Sequence, residues 1–346
     1  MGELARRQVG ILIVTMLLTA GCHYGSTRRS AETAPSGPVP TSTTAAAAAG
    51  APDAQAVKAN ELGDIPVLMY HRIVETPGSL YDRTPVQFRA ELERLAGEDY
   101  VPVTVVEVAT KRIDIPAGMH PVVLTFDDGD ATQFSLAADG RPSADTAIGI
   151  LLDVSSRNPG FRAVASLYVN AHPFGAAGGA AELAWLREHG FEIGNHTYSH
   201  ANLASLDDRG VRDEIVKGDQ AIVRALPEYD VSSLALPFGA APSNAGLALR
   251  DSSSDFPYDY DAVLLVGAEP MSSPYSTDFD ALNVPRIRSQ GPEGEDARYG
   301  SSSWLDQLAE HPELRYTSDG LPDRISYPAS ASSVLAEVYA PQAFVY

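Results

Sequence analysis

The most constraining feature of this chain is a strongly apolar run, Val122–Phe126, that ends directly at two acidic residues, Asp127 and Asp128. A strand that is apolar on both faces is typical of a parallel sheet covered by helices. Strand and helix patterns alternate from Ile65 onward, which predicts repeated β–α units around one parallel sheet. Periodicity does not choose between a barrel and an open sheet, although no glycine-rich phosphate loop follows an early strand.

Local signals predict where several of these elements begin. Thr84, followed by Pro85 and Gln87, has the form of a capping box and predicts the start of a helix. Ser143 is expected to cap a helix over residues 144–154, and the β-branched run 101–106 predicts a strand.

The amino terminus has the features of an export signal. Arg6 and Arg7 precede an apolar run that is too short for a membrane span of about 20 residues. The run ends at Leu18-Thr19-Ala20-Gly21-Cys22, which resembles a bacterial lipobox. An ordinary signal peptide and an anchor helix with an incidental cysteine are the alternatives. We therefore predict a signal peptide over residues 1–21, a lipid anchor on Cys22 and an extracytoplasmic location on the bacterial cell membrane.

Composition divides the rest of the chain into a tether and one domain. Residues 22–61 are rich in Ala, Ser, Thr, Pro and Gly, which predicts a flexible tether before a folded domain over residues 62–346. The net charge is -20, which argues against nucleic acid as a partner and favours a neutral glycan over anionic wall polymers. The single cysteine excludes an internal disulfide and cysteine-rich metal sites.

Three segments follow predicted strands, at the edge where parallel α/β folds form active sites. In Thr125–Gly129, two adjacent carboxylates repel each other, so a nearby cation is the natural compensation. In Asn195–His200, two histidines lie four apart, and two imidazoles with one carboxylate suit zinc or non-haem iron. In Ala235–Ala240, Pro and Gly shape a loop whose backbone N–H groups can stabilise an oxyanion. Taken singly, these segments are also compatible with ordinary turns and with surface or capping histidines.

Taken in this order, the segments resemble the motifs of the polysaccharide deacetylases with a NodB homology domain, known as carbohydrate esterase family 4. Thr125–Gly129 is similar to T-F-D-D-G, His196–His200 to H-[ST]-x-x-H, and Ala235–Gly239 to a variant of R-x-P-[YF]-G. Pro66–Ile73 is similar to the first strand of the subgroup that acts on poly-N-acetylglucosamine, and the resemblance covers about residues 67–290. It implies an α/β fold, a distorted (β/α) barrel with fewer than eight complete units.

The resemblance also implies a role for each matching residue. Asp127 is expected to be the general base that activates water. Asp128, His196 and His200 are expected to bind a divalent metal, which is usually zinc in the family. The loop formed by Pro237, Phe238 and Gly239 is expected to hold the oxyanion, through the backbone N–H of Phe238.

Two positions depart from the family pattern. The third-motif arginine, which orients the catalytic base in the family, is Ala235 here. Arg286 or Arg288 could replace it from a later strand end, the alternative being a solvated arginine. No clear fifth motif supplies a histidine for the leaving group. His71 at the end of the first strand is a candidate acid, with a core or capping role as its alternative, and His311 is a weaker candidate.

The resemblance implies a metal-dependent hydrolase that removes N-acetyl groups from a cell-wall or extracellular polysaccharide containing N-acetylhexosamine. One alternative is an O-acetyl esterase acting on an acetylated polysaccharide. Another is a non-catalytic surface glycan-binding lipoprotein, which the missing motif residues suggest. An acetylated polysaccharide is the expected partner in each case, and the sequence predicts no oligomeric state.

Overall fold

The computed structural model of the protein describes residues 52–175 and 179–346. The predicted signal peptide, Cys22 and most of the predicted tether lie outside these residues. Within the described part of the chain, no helix is both long enough and apolar enough to cross a membrane.

Strands and helices alternate regularly through the first two thirds of the domain, as the sequence predicts. The strands are β1 (Val67–Tyr70), β2 (Tyr100–Val103), β3 (His120–Phe126), β4 (Ser166–Val169), β5 (Glu192–Asn195), β6 (Ser233–Ala235), β7 (Arg250–Ser253), β8 (Phe256–Asp259), β9 (Ala262–Leu264), β10 (Ile287–Arg288), β11 (Ile325–Tyr327) and β12 (Ala343–Val345). The helices are α1 (Pro85–Gly97), α2 (Val105–Ala109), α3 (Ala147–Arg157), α4 (Ala180–Glu188), α5 (Asp208–Ala225) and α6 (Ser301–Glu310).

One parallel sheet of eight strands forms the centre of the domain. Seven strands follow the order β10-β1-β3-β4-β5-β6-β9, and β2 pairs with the first part of β3. Leu264 at the end of β9 also bridges to Val284, so the short segment 284–288, which includes β10, contacts both β9 and β1. The architecture is a distorted (β/α) barrel with fewer than eight complete units, as the resemblance implies.

The alternation of side chains along the strands decides which residues face the interior of the barrel. Val122, Leu124 and Phe126 of β3 pack in the cluster that faces the outer helices, whereas Val123 belongs to the cluster on the inner side. Because successive side chains point to opposite faces, Asp127 continues the inner row of Val123. The apolar run Val122–Phe126 is thus followed by a carboxylate, Asp127, that faces the interior of the barrel.

The predicted capping box of α1 is confirmed, whereas the capping box of α2 was not predicted. Thr84 and Gln87 form the predicted capping box of α1. The strand predicted over residues 101–106 is wrong at its end, because Thr104 and Glu107 form a second capping box that starts α2. An S/T-x-x-E pattern inside a β-branched run therefore overrides the strand propensity of its last residues.

The helix predicted behind Ser143 begins three residues later than expected. The side chain of Thr146, not that of Ser143, accepts a hydrogen bond from the N–H of Gly149 and caps α3. The antiparallel hairpin of β7 and β8 and the parallel pair of β11 and β12 had no recognised pattern in the sequence.

Residues 52–61 belong to the folded domain, although their composition predicts a tether. Ala59 and Glu61 are buried, and Asn60 forms a β-bridge with Thr317 of the carboxyl-terminal segment. Small and polar residues show no hydrophobic pattern. The sequence of residues 52–61 therefore does not reveal that a segment more than 250 positions away buries them. The folded domain therefore begins before residue 62.

Candidate active site

Asp127 lies just beyond β3 and forms a buried ion pair with Arg286. Asp127 is 1% exposed and Arg286 has no exposed surface. The two Nη atoms of Arg286 donate to the two carboxylate oxygens, each at 2.7 Å. Burial alone would raise the pKa of Asp127, but the guanidinium of Arg286 holds that pKa well below its usual range. Asp127 is therefore an ionised carboxylate in a fixed orientation.

Arg286, and not Arg288, is the arginine that meets this carboxylate. It lies immediately before β10, not at the carboxyl end of a strand, and its long side chain reaches Asp127 from inside the barrel. Its Nε donates to the carbonyl oxygen of Leu265 at 2.8 Å, and Nη1 also contacts the hydroxyl of Thr125 at 3.3 Å. Nε, Nη1 and Nη2 of Arg286 are therefore all hydrogen-bonded, and these bonds fix the orientation of the guanidinium.

Asp128, His196 and His200 converge at the mouth of the barrel. One ligand atom from each of them lies within 4.8 Å of the others. Oδ1 of Asp128 is 3.5 Å from Nε2 of His196 and 3.4 Å from Nε2 of His200. The arrangement brings together the three residues that the sequence assigns to a metal.

The orientation of His196 shows that these residues fit a divalent metal. Its Nδ1 lies 2.8 Å from the carbonyl oxygen of Ala235. Because a carbonyl oxygen only accepts hydrogen bonds, Nδ1 carries the proton and Nε2 turns its lone pair toward Asp128 and His200. Two imidazoles and one carboxylate are a donor set suited to zinc, with positions left for water and substrate. Ala235, which stands where the family has an arginine, thus orients a ligand through its backbone.

Left-handed backbone conformations are concentrated at this site. Asp128, Thr197, His200 and Phe238 have φ values of 78°, 62°, 58° and 60°. Such conformations cost on the order of 1–3 kcal/mol each for residues other than glycine and persist where surrounding contacts hold them. Asn170 holds the histidine turn by donating to two of its carbonyl oxygens, at 2.6 and 3.1 Å. The strained turns aim the ligand side chains at one point.

The loop Pro237–Gly239 borders the three candidate ligands. The ring of Phe238 is 4.6 Å from the ring of His200 and is 65% exposed. Gly239 has a φ of 64°, and a Cβ there would lie 2.9 Å from the backbone nitrogen of Val266. Only glycine fits this position, so the loop packs closely against the end of β9. The oxyanion role of the Phe238 N–H stays a prediction.

His71 follows β1 and faces the same inner region. Its Nδ1 is buried and has no hydrogen-bond partner among the described residues. Burial lowers the pKa of His71, and the charges of Asp127 and Asp128 oppose this shift. His71 therefore has a buried ring nitrogen that no described protein group satisfies. His311, by contrast, is exposed after α6, where its Nδ1 lies 3.3 Å from Glu313.

Sequence reasoning missed a buried polar network behind the histidine turn. The amide of Asn195 donates to Asp219 of α5 at 2.8 Å, and the hydroxyl of Tyr260 donates to the same carboxylate at 2.9 Å. Burial raises the pKa of Asp219 to about 7, although both hydrogen bonds oppose the shift. The available signal was an acidic residue on the apolar face of α5, between Ile215 and Ile222.

Both the sequence and the fold of this protein are similar to those of known proteins. Residues 114–256 match the polysaccharide deacetylase family model, and this segment contains all three motifs. The Streptococcus pyogenes deacetylase PplD, solved with acetate, is 19% identical, with a TM-score of 0.50 over 65% of this chain and 92% of that one. The Bacillus anthracis protein BA0330 is 18% identical, with a TM-score of 0.50 over 69% of this chain and 68% of that one. The two solved structures share the fold of this chain, and residues 114–256, which carry the three motifs, match the polysaccharide deacetylases, a family of hydrolases.

Proposed function

We propose that this protein is a metal-dependent hydrolase that removes N-acetyl groups from a cell-wall or extracellular polysaccharide containing N-acetylhexosamine. The convergence of Asp128, His196 and His200 beside the buried pair of Asp127 and Arg286 carries the proposal. A binding protein has no need of an ionised, buried carboxylate next to three metal-binding groups, so this geometry favours the enzyme over a glycan-binding lipoprotein.

Each residue has a defined part in the hydrolysis. A divalent metal such as zinc, held by Asp128, His196 and His200, would polarise the acetyl carbonyl. The ion pair keeps Asp127 ionised and oriented until it accepts the proton of the attacking water. The same ion pair makes Asp127 a weaker base, so the contribution of Arg286 is orientation.

Two further groups complete the reaction. The backbone N–H of Phe238 donates to the oxyanion that forms from the carbonyl oxygen. His71 in its protonated form, which the charges of Asp127 and Asp128 favour and burial opposes, gives a proton to the nitrogen of the leaving amine as the C–N bond breaks. The products are acetate and a free amine on the sugar.

An O-acetyl esterase on the same scaffold is the second candidate. Asp127 could activate water for attack on an amide or an ester. An amide nitrogen must be protonated before it leaves, whereas an ester oxygen leaves more easily. The amide is therefore the substrate that needs the acid proposed here, His71.

We further propose that the protein is extracytoplasmic and is held at the membrane by a lipid on Cys22. The lipobox-like segment and the alanine-rich residues after it support this location. Cys22→Ser should release the full-length protein from the membrane fraction. Retention of the variant in that fraction would contradict lipid anchoring.

Acetate release from chitooligosaccharides, peptidoglycan and acetylated xylan tests the activity. The metal-loaded protein should release acetate faster from the N-acetylated glycans, lose the activity on chelation and regain it with added divalent metal. Asp127→Asn should lower turnover by roughly 10²–10⁴-fold and retain glycan binding. The matched control is the exposed Asp323, whose change to Asn should leave turnover unchanged. No acetate release from any of these glycans would contradict the proposal.

A further inference from the structure

Exposed aromatic rings are concentrated around the mouth of the barrel. Among the described residues, four Phe, Tyr or Trp side chains are exposed, and three of them, Tyr81, Phe238 and Tyr299, border this mouth. Leaving large apolar groups in water has a hydrophobic cost, so a cluster of them beside a reactive site marks a binding surface. Aromatic rings are also suited to stack on the apolar C–H face of a sugar.

Two of these rings share a recess next to the catalytic residues. Tyr81 and Tyr299 line a recess of about 110 Å³, together with Met69, Val266 and Arg288. It lies over the carboxyl ends of β1, β9 and β10, where Met69 and Arg288 are paired in register. The recess is therefore at the catalytic edge of the sheet.

The side chain of His71 lies between this recess and the proposed reacting groups. The ring of Tyr81 is 4.9 Å from the ring of His71, and the carbonyl oxygen of Tyr70, the residue before His71, accepts a hydrogen bond from the backbone N–H of Asp127 at 3.0 Å. On the other side, Val266 abuts Gly239 of the loop that borders the metal ligands. A sugar in this recess is thus placed to be the neighbour of the sugar whose acetyl group is cleaved.

Arg288 supplies polar recognition within the recess. It points to the same inner side as Arg286 but lies two residues nearer the mouth. Its guanidinium is 5.7 Å from the ring centroid of Tyr81, and its Nε donates to the side-chain oxygen of Gln290 at 3.1 Å. Its Nη1 has no hydrogen-bond partner within residues 52–175 and 179–346 and can donate to a ligand.

We propose that Tyr81, Tyr299 and Arg288 form a subsite for the sugar unit adjacent to the one being deacetylated, an inference that rests on the proposed function. The rings stack on the apolar face of the pyranose, and Arg288 donates to its hydroxyl or acetamido oxygens. Asp296 also lines the recess, so its charge balances that of Arg288 and the subsite takes a neutral N-acetylhexosamine. The enzyme therefore prefers a glycan chain over a single acetylated sugar.

The test compares kcat/KM on chitotetraose with kcat/KM on a small aryl acetate that fills only the catalytic position. Tyr299→Ala should lower the value for chitotetraose by about 10- to 100-fold, the loss that base–aromatic stacking of about 1–3 kcal/mol per ring corresponds to. Arg288→Met should lower it by about 10- to 100-fold through the lost hydrogen bonds from a charged donor. Both variants should leave the small substrate within about twofold. Tyr299→Phe keeps the ring and should retain at least half of the chitotetraose activity. Phe344→Ala, at an exposed aromatic ring of the carboxyl-terminal strand, is the matched control.

Equal losses on both substrates, or no loss on chitotetraose, overturn the subsite. Calorimetric binding of chitotetraose to the same variants separates the subsite from the proposed function. Binding that depends on Tyr299, without acetate release by the native protein, supports the subsite and contradicts the deacetylase. Binding that is unchanged in Tyr299→Ala, or absent in the native protein, overturns the subsite.

Discussion

Two buried carboxylates at opposite ends of the sheet show how a partner decides the charge of an acid. Asp127, beyond the carboxyl end of β3, is 1% exposed, and Arg286 keeps it ionised. Glu61, which precedes β1, is 4% exposed and accepts hydrogen bonds from backbone N–H groups, among them that of Ser326 at 2.7 Å. Burial raises the pKa of Glu61 to about 8, the Ser326 bond opposes the shift, and the charge of Asp319 adds to it.

The comparison teaches that hydrogen-bond donors alone do not keep a buried carboxylate ionised near neutral pH, whereas a guanidinium does. Arg324, the arginine near Glu61, is bound to Asp319 instead. The end of the sheet at Asp127 thus holds an ionised carboxylate, and the opposite end closes around an acid that is neutral below about pH 8.

Arg286→Met has the largest expected effect, because it leaves Asp127 buried without its cation. We expect a loss of about 3–5 kcal/mol in the free energy of unfolding and a loss of turnover of roughly 10²–10⁴-fold. Urea unfolding and acetate release measure the two effects. Adding Asp127→Asn should restore much of the stability and none of the turnover. A fully stable and active single variant would show that the ion pair has neither role.

Glu61→Gln should remove a pH dependence of stability. The pKa of Glu61 is above its ordinary value, so its stabilising contribution is complete below about pH 4.5 and is lost as the pH rises through about 8. The contribution amounts to at most about 5 kcal/mol. Between pH 5 and pH 9, the variant should therefore lose less unfolding free energy than the native protein, measured in urea. Identical losses would place the pKa of Glu61 near its ordinary value.

Arg250→Gln has the smallest expected effect, because Arg250 belongs to an exposed ion pair that can be compared with the buried pair of Asp127 and Arg286. Arg250 and Asp259 lie 3.3 Å apart, with about two thirds of each side chain exposed. Water and salt screen such a pair, so its loss should change the unfolding free energy by less than about 1 kcal/mol. If Arg250→Gln lowered the unfolding free energy as much as Arg286→Met, burial would not determine how much an arginine–carboxylate pair stabilises the protein.

The parts of the site that were predictable are those encoded by neighbours in sequence. The apolar run before Asp127, the four-residue spacing of His196 and His200, and the Pro-Phe-Gly loop after β6 are local patterns, and each follows a strand of one parallel sheet. The structure brings these segments together because the carboxyl ends of parallel strands share one edge.

The network behind the histidine turn was less predictable. Asp219 reaches Asn195 from a different element, and a helix pattern records only that a polar residue interrupts an apolar face. The burial of residues 52–61 was unpredictable for the same reason, because the residues that cover them come from the far end of the chain.

The sequence by itself determined the alternating β–α architecture, the row of inward-facing side chains and the three motifs, because these depend on residues a few positions apart. Only the tertiary structure decided which arginine serves Asp127. Arg286 lies 159 positions away in the chain, and Arg288 has the same residue type and the same inward parity. The choice between them depends on the register in which β10 pairs with β1, and that register is set by packing around the whole barrel.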